Sequence, residues 1–454
     1  MNDASPARVR ESVPAIDEGP GSTLLRRDAV AIIVGIVVGA GIFRTPSLVA
    51  QFTGDAGWIL ALWVGGGVVS LIGALCYAEL ASTYPHAGGD YHFLTRAFGR
   101  DLSFLYAWAR AAVINTGSIA LLAFVFGDYM SRIVNLGEHS SATWAALLVI
   151  LLTVVNLTSL RASTRTQNLL TITEVAGLIA VCIAGWVVTP PVAAAVPMFA
   201  TTPASGMLGL ALVFVLLTYG GWNEAAYISA EHKDGHAAVV GTLVVSILII
   251  TILYVAFNLA LVLGLGVAGL AQSKAAPADL LARAFGTFAS QALSVIVAIA
   301  ALTSINATML VGARTNYALG RDWPALRLLS GWDRVRGVPR AAFVLQGVVA
   351  LALIGFGALQ KDGFEAMVEF TAPVFWTFLL LVGVALLVLR WRDPHMPRPF
   401  RVPLYPLTPL LFIASCGFLL YSSIGYATSR SAIHVSLLVM VAGVLALIAT
   451  RSRA

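Results

Sequence analysis

The stretch VVGAGIFRTPS, residues 37–47, places two glycines, an arginine and a proline at the end of the first long apolar run. Gly39 and Gly41 weaken a helix at this point, and Arg44 places a full charge near the bilayer. An interrupted helix leaves backbone amides and carbonyls unpaired, and amides at the start of a half-helix bind a carboxylate. Pro46 is tolerated in the opening turns of such a half-helix. The pattern predicts a break that binds a charged group.

A second interrupted run, LLTYGGWNEAAYISAE, has Gly220 and Gly221 in its middle, with polar and aromatic neighbours. This run is the sixth long apolar segment, and VVGAGIFRTPS lies in the first. Two glycine-interrupted segments in matched positions are typical of transporters built from two inverted five-helix repeats. The alternative is that the glycines only allow close helix packing.

The elements that must position these breaks follow from composition. Of 454 residues, 59% are hydrophobic and only 11% are charged, against about 25% charged in a soluble domain. Apolar runs of roughly 20 residues recur, which is enough to cross a bilayer. The prediction is an all-α polytopic membrane protein with twelve spans at residues 29–52, 57–83, 102–132, 142–160, 166–189, 206–230, 238–266, 287–316, 341–359, 365–390, 404–426 and 431–450.

Basic residues predict the orientation. With the N-terminus in the cytoplasm, 21 of the 28 lysines and arginines fall on or next to the inner side and five on the outer side, as the positive-inside rule requires. We therefore expect a multi-pass protein of the plasma (inner) membrane with both termini cytoplasmic. The net charge of +6 is then a topology signal and does not indicate a nucleic-acid partner.

Other function classes lack their residues. The seven histidines fall in loops, interfacial segments or span ends, so no catalytic residues, metal or cofactor are expected and the chain is not predicted to be an enzyme. A phosphate-binding glycine loop followed by lysine is absent from the sequence. Cys76, Cys182 and Cys416 lie within apolar runs and are expected to be buried thiols. No exposed cysteine is then left to link an obligate protein partner, and the expected surroundings are lipid and a small molecule.

The chain resembles the amino acid–polyamine–organocation (APC) permeases in five stretches that occur in order: VGAGIF, YAELASTYPHAGGDYHFLTRAFG, YGGWNEAAYISAE, ARTNYALGRD and RPFRVPLYP. The branch it looks closest to holds the L-type and cationic amino acid transporters. The resemblance implies a LeuT-type 5+5 inverted repeat with discontinuous helices 1 and 6, plus two extra C-terminal helices. It also implies a secondary transporter that moves amino acids by alternating access as a symporter or antiporter, or a polyamine or organic-amine carrier of the same fold.

On this basis the chain divides into a polar cytoplasmic tail (1–28), two five-helix repeats (29–189 and 206–390), helices 11 and 12 (404–450) and a C-terminal tail (451–454). The resemblance implies that the first break binds the substrate α-carboxylate through Gly39, Ala40, Gly41 and Ile42. It implies that the second break binds the α-amino group and shapes the side-chain pocket, through Tyr219, Gly220, Gly221, Trp222 and Asn223. Candidate pocket or coupling groups on span 8 are Thr303, Ser304 and Asn306.

Glu174 is the candidate for ion coupling. Related transporters resemble this stretch but carry a lysine about seven residues after a glutamine; here Gln167 is followed by Glu174. The resemblance implies that this lysine stands in for a sodium ion. A buried carboxyl group readily holds a proton, so Glu174 is expected to carry H⁺. Three alternatives stay open: Na⁺ binding, exchange without a coupling ion, and a structural pair with Arg110.

Two further intramembrane arginines need partners, because an unpaired charge there costs about 2.5–3.5 kcal/mol. We expect Arg110 to pair with Glu224 or Glu174. Arg44 either extends to the outer interface or pairs with Glu369, which lies four residues after Glu365 on span 10. An Arg44–Glu369 bridge would form a thin extracellular gate.

Overall fold

The computed structural model describes residues 30, 33–35, 37–86, 88–158, 164–188, 198–204, 206–223, 236–333, 337–430 and 432–451. The helices are α1 (Thr45–Thr53), α2 (Ala56–Thr83), α3 (Asp90–Phe98), α4 (Arg100–Ala109), α5 (Asn115–Ile133), α6 (Ser140–Leu157), α7 (Thr164–Val187), α8 (Met207–Thr218), α9 (His236–Gln272), α10 (Ala276–Asp322), α11 (Arg340–Ala358), α12 (Gly363–Arg392), α13 (Leu407–Arg430) and α14 (Ala432–Arg451). Two 3-10 turns cover Ala40–Phe43 and Pro324–Ser330, and a π turn, Arg110–Ile114, joins α4 to α5.

The described part of the chain is all-helical apart from one isolated bridge between Asp333 and Val338. Eight of its helices are long and apolar enough to cross a membrane: Ala56–Thr83, Arg100–Ile133, Ser140–Leu157, Val240–Gln272, Ala276–Asp322, Arg340–Ala358, Gly363–Arg392 and Leu407–Gly425. Three shorter apolar helices are Ile172–Val187, Met207–Thr218 and His434–Thr450. Each predicted span from the second to the twelfth overlaps one of these eleven segments.

Large apolar side chains on the outer faces of these helices are exposed. Leu151 on α6, Ile252 on α9, Val348 on α11 and Leu438 on α14 each expose more than half of their surface. A protein in water does not present such a surface over most of its helices, whereas lipid tails favour it. The exposed residues therefore support a polytopic membrane protein.

Aspartates cap the N-termini of two long helices. Asp55 precedes α2 and accepts hydrogen bonds from the amides of Gly57 and Trp58. Asp362 precedes α12 and accepts one from the amide of Glu365. A side-chain oxygen satisfies amides that the first helical turn leaves unpaired, so these two residues fix where each helix begins.

The connection between spans seven and eight is more helical than predicted. The predicted ends at 266 and 287 coincide with kinks at Gly266 and Gly286, and helix continues beyond both kinks to Gln272 and back to Ala276. The turn between α9 and α10 is therefore only three residues long.

The expectation that all three cysteines are buried is wrong for one of them. Cys76 and Cys416 are buried, but Cys182 on α7 is only half-buried. Cys182 lies within the apolar segment Ile172–Val187.

Helix packing brings distant parts of the chain around the first break. The Ala40–Phe43 turn contacts α5 and α10, and α1 packs against α8 and α9. Helix α7 packs between α9 and α10. The elements predicted to carry the site are thus neighbours.

Candidate functional site

The first predicted break is present. A bend at Val38 and an extended residue, Gly39, precede the 3-10 turn Ala40–Phe43, and α1 begins only at Thr45 with a proline in its first turn. Amides at the start of a short helical turn have no acceptor within that turn. The four residues predicted to bind a carboxylate, Gly39 to Ile42, therefore form this interruption.

The second break is also present where the glycines predicted it. Helix α8 ends at Thr218, and Tyr219, Gly220 and Gly221 form a turn. Gly221 has a φ of 106°, a conformation that side chains other than glycine rarely adopt. Trp222 and Asn223 follow as helical, buried residues. The amides of Tyr219 and Gly220 still donate to the Val215 and Leu217 carbonyls, whereas later carbonyls of this segment lose the regular donors of a continuous helix.

The two breaks contact each other. The hydroxyls of Thr45 and Thr218 lie 2.7 Å apart. The Tyr254 hydroxyl on α9 lies 3.0 Å from the Val37 carbonyl before the first break and 3.4 Å from the Thr218 carbonyl before the second. A third tyrosine contact fixes the far end of the 3-10 turn, where Tyr129 donates to the Phe43 carbonyl over 3.0 Å.

Of the span 8 candidates, the structure brings Ser304 to the first break. A Cβ atom built on Gly39 would lie 3.7 Å from the Ser304 hydroxyl oxygen. Asn306, a candidate pocket residue, accepts a hydrogen bond from Asn156 of α6 over 2.9 Å. The Thr303 hydroxyl lies within hydrogen-bond distance of two carbonyls one turn earlier in α10, those of Ile299 and Ala300.

Glu174 is buried on α7 with 6% of its surface exposed. Its carboxylate accepts a long hydrogen bond of 3.5 Å from the Thr303 hydroxyl. It also lies within electrostatic range of Tyr254. Among the salt bridges of the described residues, none joins Glu174 to Arg110.

Arg110 begins the π turn within the long helix α4–α5. Its guanidinium donates to the Tyr106 hydroxyl over 3.1 Å, and Tyr106 donates to buried Asp90 of α3 over 3.0 Å. The other partner proposed for Arg110, Glu224, lies outside the described residues.

The partner expected for Arg44 is corrected by the structure. Arg44 forms salt bridges with Asp128 of α5, at 3.4 Å, and with Asp362, the cap of α12. Neither of these two partners is Glu369, which is buried on α12. The Arg44 side chain is only 1% exposed, so it does not extend to the outer interface either.

This ion cluster, Arg44 with Asp128 and Asp362, lies at the end of the first break, because Arg44 directly follows the Ala40–Phe43 turn. The Phe364 ring lies 5.9 Å from the guanidinium carbon and stacks against Phe214 of α8 at 6.4 Å. Ser141 of α6 donates to Asp128 over 2.7 Å. The cluster therefore joins the start of α1 to α5 and α12.

A second buried ion cluster lies at the other end of α2 and α12. Arg390 binds the Glu79 carboxylate through two nitrogens, Arg398 approaches within 3.4 Å, and the Val402 amide donates over 2.7 Å. Glu79 is 1% exposed, so its carboxylate is not solvated and packs against basic residues of α12 and of the segment that follows it.

An apolar cavity begins at the second break. It is bordered there by Gly220, Trp222 and Asn223, and on the far side by Trp376 of α12 and Phe412 of α13. Rings and aliphatic groups supply nearly all of its wall. The cavity is small, with room for about one water molecule.

Comparison with known proteins agrees with this geometry. A family profile described as "Amino acid permease" matches residues 26–447. The chain is 28% identical to the b(0,+)-type amino acid transporter 1 of Rattus norvegicus, over 93% of this chain and 88% of that protein. It is 27% identical to the human large neutral amino acids transporter small subunit 2, over 91% and 79%. It is 28% identical to the human cystine/glutamate transporter, over 88% and 80%.

The chain thus combines an apolar all-helical fold with two interrupted helices that meet at their breaks, and a family profile matches almost its whole length. The chain belongs to the amino acid permease family, in the L-type branch of the APC superfamily.

Proposed function

We propose that this protein has twelve membrane spans and is a secondary transporter of amino acids. It would move them across the membrane by alternating access around the two breaks. The observation that carries the proposal is the meeting of the breaks at Thr45 and Thr218, 2.7 Å apart. Helices 1 and 6 of a 5+5 inverted repeat would meet in this way at the bilayer midplane. The proposal includes the inner membrane as location and cytoplasmic termini.

The α-carboxylate of the substrate binds the amides at the start of the Ala40–Phe43 turn. The positive end of a helix dipole and unpaired amides both favour an anion there. Ser304, which faces Gly39, adds a hydroxyl donor. The α-amino group binds carbonyls at the end of α8 and the Tyr219–Gly221 turn, which supply the negative end of a dipole.

The substrate side chain lies beside Trp222 and Asn223, where the neighbouring wall of α12 and α13 is apolar. Such a wall favours neutral, apolar or aromatic side chains, since a buried unpaired charge is expensive. The names of the mammalian relatives include neutral amino acids, which supports this part of the proposal.

Glu174 couples transport to a proton. Glu174 is buried within a membrane span and contacts only the neutral hydroxyl of Thr303 among the contacts described for it, and a carboxyl group in such surroundings readily holds a proton. Tyr254 lies within electrostatic range of Glu174 and bonds to carbonyls of both breaks. A change in the charge of Glu174 would therefore alter the interactions of Tyr254, which contacts both breaks. Na⁺ binding by Glu174 and exchange without a coupling ion are the other outcomes of the test.

The ion cluster of Arg44 closes the extracellular entrance. The orientation given by the basic residues puts α1 on the outer side, and opening would then separate Arg44 from Asp128 or Asp362.

One screen tests substrate and coupling together. The purified protein is reconstituted in liposomes and offered radiolabelled amino acids and organic amines, with and without a pH or Na⁺ gradient. Saturable uptake of amino acids supports the proposal. Uptake of amines alone would favour the polyamine or organic-amine carrier, which buried acids such as Glu174 keep open, and uptake of neither would refute both.

A glycine pair controls for the break itself. A Cβ at Gly220 would lie 2.9 Å from the Leu217 carbonyl oxygen, whereas a Cβ at Gly65 on α2 would meet nothing within 4 Å. Gly220→Ala is expected to abolish uptake of the identified substrate, while Gly65→Ala leaves it intact. Equal uptake by both variants would contradict a site at the second break.

A further inference from the structure

Gly312 on α10 faces a polar contact between three helices, away from the two breaks. A Cβ atom at Gly312 would lie 2.5 Å from Oε1 of Gln346 on α11 and 3.0 Å from Nδ2 of Asn115, the first residue of α5. Two amide side chains from different helices therefore approach one point on α10. Asn316 lies one turn further along the same face of α10.

These amides are buried, and four of their six side-chain N and O atoms lack a hydrogen-bond partner within the described residues. Gln346 and Asn316 are 1% exposed and Asn115 is 7% exposed. Within the described residues, four of their atoms form no hydrogen bond: Nδ2 of Asn115, Oδ1 of Asn316, and both Oε1 and Nε2 of Gln346. Buried polar atoms in folded proteins are nearly always paired with protein or with ordered water.

The local backbone has an irregularity at the same place. Asn115 follows the π turn Arg110–Ile114, and its amide donates to the Arg110 carbonyl five residues back. Single π turns inside α-helices are frequently found at functional sites. The amide cluster thus adjoins the one part of the helix α4–α5 that departs from α-helical geometry.

The four atoms identify the occupant by their chemistry. Two of them donate hydrogen bonds and two accept, and none carries a charge. A cation would face two amide N–H groups, an anion would face two carbonyl oxygens, and an apolar group would leave all four unpaired. Water donates and accepts at once, and buried waters typically form about three such bonds.

We propose that Asn115, Gln346 and Asn316 bind ordered water, which joins α5, α10 and α11 beside the π turn. Gly312 provides the room, since a side chain at that position would meet Gln346. The water site is independent of the substrate site and of the proposed transport function, so its test does not require a known substrate.

Replacing Gln346 is expected to change the Tm in one direction if water bridges the amides and in the other direction if it does not. If water bridges the amides, Gln346→Leu leaves Asn115 and Asn316 with fewer partners, and the apparent Tm of the purified protein falls by about 3–5 °C. If Gln346 is merely unpaired, the same change removes a buried unsatisfied group, and the Tm stays or rises. An unchanged or higher Tm overturns the proposal.

Two glycines provide the matched control. Gly312→Ala fills the space and is expected to lower the Tm, whereas Gly355→Ala on exposed α11 surface, with nothing within 4 Å, is expected to leave it unchanged or raise it. Equal Tm values for these two variants would contradict the proposal.

A density map of the wild-type protein at about 2 Å resolution tests the occupant directly. A peak within hydrogen-bond distance of at least three of the four atoms, equally strong in Na⁺ and in K⁺ buffer, is the expected result. Direct Asn115–Gln346 pairing without a peak, or a peak that depends on Na⁺, would overturn the assignment to water.

Discussion

The Tyr254 hydroxyl lies 3.0 Å from the Val37 carbonyl and 3.4 Å from that of Thr218, so one phenol contacts the ends of both interrupted helices. Tyr254 is fully buried on α9. It therefore fixes the distance between the segments that the proposed substrate must contact on either side.

Tyr254→Phe removes this contact and keeps the ring. Leaving a buried carbonyl unpaired costs about 1–3 kcal/mol, and the expected consequence is a roughly tenfold lower rate of uptake. Initial rates in liposomes measure it. Tyr421→Phe on the exposed face of α13 is the control and is expected to transport normally; equal rates for both variants would remove Tyr254 from the mechanism.

The Arg44 cluster predicts strong coupling in a double-mutant cycle on transport. Arg44→Gln and Asp128→Asn are combined, with the exposed pair Arg132→Gln and Asp279→Asn as control, whose side chains are about one-third exposed. We expect a coupling energy of about 1–3 kcal/mol for the buried pair and under about 1 kcal/mol for the control. Additive effects of Arg44→Gln and Asp128→Asn would exclude the cluster as a gate.

Asp362 and Glu369 separate two versions of that gate. Asp362→Asn preserves the cap of α12, since asparagine caps helices as well as aspartate, and removes only the charge beside Arg44. We expect it to couple to Arg44→Gln, while Glu369→Gln combines additively with the same change. Coupling of Arg44 to Glu369 and none to Asp362 would instead support the Arg44–Glu369 bridge that the sequence predicted.

The positions of both breaks could be predicted from the sequence, because closely spaced glycines weaken a helix within an apolar run. The sequence was insufficient for the partner of Arg44, since the direction of α1 after an interruption depends on tertiary packing. Two signals were nevertheless present. Asp128 is a carboxylate within the third apolar run, and Asp362 with Glu365 follows the spacing of a helix cap. Both indicated acids that needed a role.

Asn306 and Asn115 illustrate a different limit. Both are polar residues on membrane helices, and composition alone does not distinguish a pocket residue from one that joins two helices. Asn306 binds Asn156, and Asn115 adjoins a π turn that no residue pattern announced. Which face of a helix turns toward the substrate depends on rotations that a hydrophobic pattern leaves undetermined where every face is apolar.

Asp55 predicts an acid-sensitive contribution to stability. It is 3% exposed and accepts hydrogen bonds from the amides of Gly57 and Trp58 on α2 and of Phe199, Ala200 and Thr201. Burial raises the pKa of Asp55, but the amides of Phe199, Trp58, Ala200 and Thr201 outweigh it, and the pKa is lowered from 3.8. Asp55→Ala is expected to cost about 2–3 kcal/mol.

The sign of the pH dependence follows from the lowered pKa. The ionised Asp55 stabilises the fold fully above its unfolded pKa, and this stabilisation is lost as pH falls through the lower folded value. The apparent Tm of the wild type should therefore fall below about pH 4 more steeply than that of Asp55→Asn. Parallel curves for the two proteins would show that Asp55 contributes nothing to the acid sensitivity.

The proposal that Glu174 carries a proton predicts how transport responds to ion gradients. If it carries a proton, Glu174→Gln, which resembles the protonated acid, transports at a rate independent of pH, while the wild type accelerates under an inward proton gradient. The same variant would instead lose Na⁺ dependence if Glu174 binds sodium. Glu138→Gln, in an exposed loop, is the control. A Glu174→Gln variant with normal activity and the pH dependence of the wild type would refute the proton carrier. Glu174→Lys completes the series, because a fixed cation at this position would replace the coupling ion and leave exchange that responds to neither gradient.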